Sequence, residues 1–226
     1  MPLRSGLLLF PNLTQLDLTG PYEVLARLPE AETLLLAKSL DPVRSEHGLT
    51  ILPQVALADC PALDLVLVPG GPGINPLLED AELLDFLRRA AAAARWVVGI
   101  CTGSLVLGAA GLLRGRRAAT HWQSREFLPA FGAQPVLERV VVDGKFFTGG
   151  GVTAGIDVAL AVAAEIAGRE TAEAIQLAIE YDPAPPFAAG APEAAAPAVL
   201  ARVSAQAEAR QRDRASRVAR AAAALG

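Results

Sequence analysis

Apolar residues along this chain fall in short blocks closed by glycine, proline or polar turns, with longer stretches of helical spacing between them. Leu3–Phe10 reads as a first strand. Gly20-Pro21 predicts a helix start, because proline is tolerated at the first helical position, and Glu23 falls in its first turn. Thr33–Ala37 is a second strand. Val43–Ala56, with the His47-Gly48 turn between two extended pieces, predicts a small hairpin at an edge. Asp64–Val68 is continuously apolar, the pattern of a strand covered on both faces, and Pro69-Gly70-Gly71-Pro72-Gly73 follows it directly. Glu82–Ala94 has amphipathic helical spacing and feeds a strand at Trp96–Ile100. After it come a small-residue helix over Ser104–Ala110, a short strand over Arg117–Thr120 and a helix over His121–Phe131. Val140–Val142 and Phe146–Thr148 form a hairpin around Asp143-Gly144, and Gly155–Ala167 and Thr171–Tyr181 are two more helices. Strands alternating with helices predict an α/β fold with a mostly parallel central sheet flanked by helices.

The pattern changes at Asp182. Residues 183–197 are rich in proline and alanine and read as an extended surface loop, and Ala198–Ala223 reads as a helix carrying many arginines. The expected organisation is therefore one α/β domain over residues 1–182, followed by a loop and C-terminal helix over residues 183–226. That helix is either a solvated, frayed tail or an arm packed on the domain or on a second subunit.

Chemistry concentrates at Gly99-Ile100-Cys101-Thr102-Gly103, where the strand stops and a helix starts at once. Gly-x-Cys-x-Gly has the form of a nucleophile elbow, in which a sharp turn lifts the nucleophile into the open. The helix N-terminus beside the sulfur favours thiolate over thiol. In a doubly wound sheet, ligands sit at the carboxyl ends of strands. Gly70 and Gly71 occupy such an end, so their backbone N–H groups, with that of Thr102, are expected to face a developing oxyanion. Asp17 lies between apolar leucines after the first strand, where burial raises a carboxyl pKa and suits it to hold a proton near neutrality. A turn or helix-cap role is the competing explanation for Asp17. Glu23 is a second, weaker candidate acid. His121 follows a strand end and is placed to approach the site, whereas His47 sits in the hairpin and reads as exposed. Thr102 stands where a histidine would make a Cys-His dyad, which argues against peptidase chemistry. Its hydroxyl is suited to hold a water or a substrate atom.

Composition narrows the classes. The net charge of −4 gives no support for a nucleic-acid partner. Cys60 and Cys101 are the only cysteines, with no metal-ligand spacing, so neither a disulfide scaffold nor a metal site is expected. The apolar run near the N-terminus is too short for a signal peptide, and no stretch has membrane-spanning character. A cytoplasmic protein without membrane partners is the expectation.

Taken together, Asp17-Leu18-Thr19-Gly20-Pro21-Tyr22-Glu23, Val68-Pro69-Gly70-Gly71-Pro72-Gly73 and the Cys101 elbow resemble the ThiJ/PfpI superfamily, related to class I glutamine amidotransferases. Ala119-Thr120-His121-Trp122, the turn from Thr148 to Asp157 and Glu180-Tyr181-Asp182-Pro183-x-Pro185-Pro186-Phe187 extend the likeness over nearly the whole chain. Within that superfamily the Asp17, Cys-Thr and tail combination is most similar to isonitrile (isocyanide) hydratases. The resemblance implies a flavodoxin-like three-layer sandwich and a homodimer without metal or cofactor. It also implies Cys101 as nucleophile, Asp17 as general acid/base and Thr102 as a site residue. The implied reaction adds water to an isonitrile to give an N-substituted formamide, and the surrounding apolar sequence predicts a small, apolar pocket that fits an uncharged substrate. Two other readings keep the same domain: a ligand sensor of the kind that precedes the DNA-binding part of AraC-type regulators, and a glyoxalase- or deglycase-like enzyme. Oxidation of Cys101 as a redox sensor is a further option.

Overall fold

The structure, a computed structural model, describes residues 2–226. Strand β1 (Leu3–Leu8) leads through α1 (Gln15–Leu25) to β2 (Ala31–Ala37). Then come β3 (Val43–Arg44), β4 (Thr50–Ile51), β5 (Val55–Ala56) and β6 (Leu65–Val68). Helices α2 (Ile74–Leu77) and α3 (Ala81–Ala93) precede β7 (Trp96–Ile100), which runs into α4 (Gly103–Ala109). Strands β8 (Arg117–Ala118) and β9 (Gln134–Pro135) flank a 3-10 segment, Trp122–Phe131. The hairpin β10 (Val140–Asp143) and β11 (Phe146–Gly149) is followed by α5 (Ala154–Ala167), α6 (Arg169–Ala178) and α7 (Pro197–Ala224).

The main sheet has the order β10-β11-β7-β6-β1-β2-β5, and only the β10–β11 pair is antiparallel. Helices cover both faces, giving the three-layer α/β architecture expected from the alternation of patterns. The core explains it: Leu65–Val68 and Trp96–Ile100 are buried along their whole length, as central parallel strands covered on both faces must be. The expected edge hairpin forms as β3–β4, a two-stranded sheet of its own, and β5 alone joins the main sheet beside β2.

The expected helix start at Gly20-Pro21 is wrong. Helix α1 begins at Gln15, and Pro21 lies inside it. Proline removes one backbone donor, but this helix is seated by tight packing on α5. A Cβ on Gly20 would come within 3.0 Å of Ile156 Cγ1, and one on Gly155 within 3.2 Å of Pro21 Cδ. The consequence is functional, because Asp17 belongs to the first turn of α1 and not to a connecting turn.

The C-terminal helix packs on the domain of the same chain. One face of α7 is buried against the same chain through Ala207, Arg214, Val218 and Ala221. Arg217 and Arg220 both pair with Glu79, which follows α2. Neither a fully solvated tail nor an arm reserved for another subunit describes it.

Candidate active site

Cys101 sits at the end of β7 with φ +54°, in the left-handed region that residues other than glycine rarely occupy. Two hydrogen bonds hold it there. Its N–H donates to Gly149 O (3.1 Å) on β11, and Thr120 Oγ1 donates to Cys101 O (2.8 Å). The flanking glycines are required by close approach: a Cβ on Gly103 would lie 2.1 Å from Val68 O, and one on Gly99 2.9 Å from Leu107 Cδ1. A strained cysteine pinned between strand and helix is the geometry expected of an elbow.

The first turn of α1 delivers Asp17 to the same point. The residue has no exposed surface, and Gly70 N–H donates to its Oδ2 at 2.8 Å. Its Oδ1 is buried without a well-formed hydrogen bond, and the Cys101 thiol is the side chain that interacts with the carboxyl. Burial pushes Asp17 from 3.8 up to about 7, against the opposing pull of the Gly70 and Cys101 contacts, with a further upward push from Glu46. This is the raised carboxyl pKa expected from the apolar neighbours. Glu23, by contrast, is exposed and paired with Arg27, which removes it as an acid for this site.

Three expectations are corrected here. Cys101 is 4 % exposed, and burial followed by the charge of Asp17 drives its pKa well above the ordinary thiol value. The N–H of Thr102 and the charge of Arg214 pull the other way and are outweighed. The resting group is therefore a thiol beside a carboxyl, not a thiolate made by a helix dipole. Second, the Gly70 N–H is committed to Asp17 and the Gly71 N–H to Thr102 Oγ1 (3.0 Å), so neither is a spare oxyanion donor. Third, the Thr102 hydroxyl accepts from Gly71 and returns a contact to Gly71 O (3.4 Å). It locks the glycine loop, while its backbone N–H serves the sulfur.

Gly70 is where these contacts meet. A Cβ there would lie 2.6 Å from Thr102 N, 2.7 Å from Thr102 Oγ1 and 2.8 Å from Asp17 Oδ2. Gly70→Ala is expected to cost about 1–3 kcal/mol of stability through overpacking. It should also separate Asp17 from the sulfur. Denaturant unfolding read beside the pH dependence of Cys101 alkylation checks both effects.

Above Cys101 lies a cavity of about 210 Å³. Trp122, Val152 and Val203 give it apolar surface, but Glu46, His121, Arg210 and Arg214 line it too. The expected small apolar pocket thus has an acid and two arginines in its walls. His121 does reach it. Its Nδ1 accepts from Gln123 N–H (3.4 Å), and burial, followed by Arg214, Arg210 and Arg125, lowers its pKa to about 4. The imidazole is neutral at physiological pH. His47 is exposed, as expected. Cys60 lines a different pocket.

Sequence reasoning missed Arg214. It is 3 % exposed, donating through Nε to Asn75 Oδ1 (2.8 Å) and through a terminal nitrogen to Ser124 Oγ (2.8 Å). Burial lowers its pKa to about 10, with a contribution from Arg210, so it stays cationic at neutral pH. A signal for it existed: Ala207, Arg214, Val218 and Ala221 have the spacing of one helical stripe, and a lone arginine interrupts that stripe. Glu46, whose Oε1 accepts from Thr14 Oγ1, was also missed. Nothing in the hairpin pattern marks it.

Among the described residues no group of three or more His, Cys, Asp or Glu is arranged to hold a metal, and no helix is long and apolar enough to cross a membrane. Residues 5–165 match the profile of the DJ-1/PfpI family. The chain belongs to the DJ-1/PfpI family. A Pseudomonas putida protein named isonitrile hydratase is 56 % identical over 200 residues, 88 % of each chain. A THiJ/PfpI family protein from Pseudomonas syringae superposes with a TM-score of 0.93 at 39 % identity, over 96 % of this chain and 91 % of that one. More distant is the HTH-type transcriptional regulator GbdR of Pseudomonas aeruginosa, 32 % identical over 80 % of this chain but only 51 % of its own length. As a DJ-1/PfpI domain, the fold carries its elbow cysteine at the carboxyl end of a central strand.

Proposed function

We propose that this chain is a cofactor-independent isonitrile hydratase, with Cys101 as nucleophile and Asp17 as general acid/base. The observation that carries the reading is a buried thiol lining a small cavity, with a buried carboxyl that titrates near neutrality interacting with it from behind. The identity with the Pseudomonas putida isonitrile hydratase supports the substrate class.

The terminal carbon of R–N≡C accepts a soft nucleophile and a proton on the same atom. As Cys101 Sγ bonds to that carbon, Asp17 takes the thiol proton and delivers it to the carbon, leaving Cys–S–CH=N–R. The high thiol pKa suits this order, because the sulfur ionises only as it attacks. Water then adds to the same carbon, losing one proton to Asp17 while the nitrogen gains one, to give Cys–S–CH(OH)–NH–R. The C–S bond breaks as the hydroxyl becomes a carbonyl, and the proton returns to sulfur. The product is R–NH–CHO, and one water has been consumed. Splitting the hydration in two is the usual gain from covalent catalysis. A carboxyl with a pKa near 7 can both take and give the proton at working pH. Thr102 and Gly71 fix the loop that carries the Gly70 N–H, and Gly70 fixes Asp17. The neutral His121 forms part of the substrate wall.

Incubation with cyclohexyl isocyanide, read by chromatography as N-cyclohexylformamide, tests the reading, with methylglyoxal offered in parallel. Formamide production supports it; consumption of methylglyoxal alone would favour a glyoxalase. A cytoplasmic homodimer is part of the same proposal, supported by the family resemblance and by the exposed Leu40, Leu49 and Leu52 around the β3–β4 hairpin. Light scattering should return about twice 23.4 kDa.

A further inference from the structure

Apart from the exposed Arg202, the arginines of α7 divide into two groups. Arg212, Arg217 and Arg220 each pair with a carboxylate. Arg210 and Arg214, one helical turn apart, line the cavity above Cys101, and among the described residues neither forms an ion pair. Among the described residues Arg214 is bound only by the neutral Asn75, Ser124 and Gln211. Asp213 is turned to Asn75 Nδ2 and Arg217, not to the cavity. Arg210 is half-buried, and among the described residues its side chain donates no hydrogen bond.

Two like charges facing one confined space raise each other's energy, and a buried cation without a counter-ion is costly. An anion seated between them relieves both. Guanidinium groups suit a planar carboxylate, which they can meet with two parallel hydrogen bonds. The acid in the cavity lining, Glu46, is held by Thr14 Oγ1, and the other charge nearby, Asp17, sits behind Cys101 under Gly70.

We propose that Arg210 and Arg214 form a carboxylate-binding subsite in the wall of the catalytic cavity, so that isonitriles bearing an acidic group are favoured over neutral ones. The substrate's isonitrile carbon meets Cys101 while its carboxylate meets α7. The subsite deepens the hydratase reading and rests on it for the identity of the reacting group. The small cavity restricts such substrates to short chains, of which isocyanoacetate is the simplest; hydration turns it, with one water, into N-formylglycine.

The test compares kcat/KM for isocyanoacetate and for its methyl ester, in the wild type, Arg210→Met and Arg210→Lys. The acid-to-ester ratio within each protein is compared between proteins, so intrinsic reactivity cancels. We expect Arg210→Met to lower that ratio about ten-fold, the effect of one charge-assisted contact, and Arg210→Lys to keep most of it. Calorimetric titration with N-formylglycine and with N-formylglycinamide supplies a readout that needs no turnover: the acid should bind the wild type more tightly, and Arg210→Met should erase the difference. An unchanged ratio together with equal binding of acid and amide overturns the subsite while leaving the hydratase reading intact. If no isonitrile is hydrated yet N-formylglycine binds through Arg210, the subsite stands and the hydratase reading falls.

Discussion

Cys101→Ala should lower isonitrile hydration by at least about 10⁴-fold in kcat/KM, since removing a nucleophile leaves only binding and polarisation by the remaining groups. The fold should survive. Cys101 is a small buried side chain, and its strained turn is held through backbone groups, by Gly149 O and by the Thr120 hydroxyl. The thiol bonds that turn to nothing the fold requires. Unaltered circular dichroism with no formamide from cyclohexyl isocyanide is the expected result; hydration at the parent rate would rule out the covalent route. Mass spectrometry of the wild type quenched during turnover should show an adduct of one substrate mass on Cys101, absent from the variant.

Asp17→Asn is expected to move activity and stability in opposite directions. An amide cannot shuttle the proton, so hydration should fall by about 10²–10⁴-fold. Stability should rise. Asp17 titrates near 7 in the folded chain and near 3.8 when freed. As pH rises, the unfolded chain therefore ionises first, and the native state falls behind between those two values. Below about pH 4 both states hold the proton and the carboxyl costs nothing. Above about pH 7 the native state bears a buried charge whose cost is about 4 kcal/mol by linkage. Asparagine keeps an acceptor for the Gly70 N–H and carries no charge. The variant should thus melt on the order of 10 °C higher at pH 8, with the gain shrinking toward pH 4. Equal melting temperatures at pH 8 would show that Asp17 is not the desolvated acid described above. A group whose removal stabilises the fold and silences the reaction is retained for chemistry.

The α/β fold, the sheet strands and the elbow were legible because each depends on local pattern. Continuous apolar blocks mark central strands, and Gly99 and Gly103 mark the turn around Cys101. Asp17 was legible as an acid in apolar company, but its position in a helix was not. Pro21 carries a strong local preference for a helix start, and tertiary packing of Gly20 and Gly155 overrode it. The ionisation of Cys101 was misjudged for a related reason. A helix N-terminus is visible in sequence, whereas depth of burial and the nearness of Asp17 are not. The Gly70 and Gly71 donors were placed at the right strand end, yet their partners were invisible: Asp17 lies 53 residues from Gly70.

By itself, then, the order of residues determined the layered sheet, the strained cysteine at its rim and the acid destined for it, since these follow from periodicity and from turns only glycine permits. The tertiary structure alone decided the protonation of that pair, the locking of the glycine loop, and the closing of the cavity by α7 with Arg210 and Arg214. Each of these depends on distances between segments far apart in the chain. Electrostatic energies turn on those distances and on the exclusion of water, neither of which a linear pattern encodes.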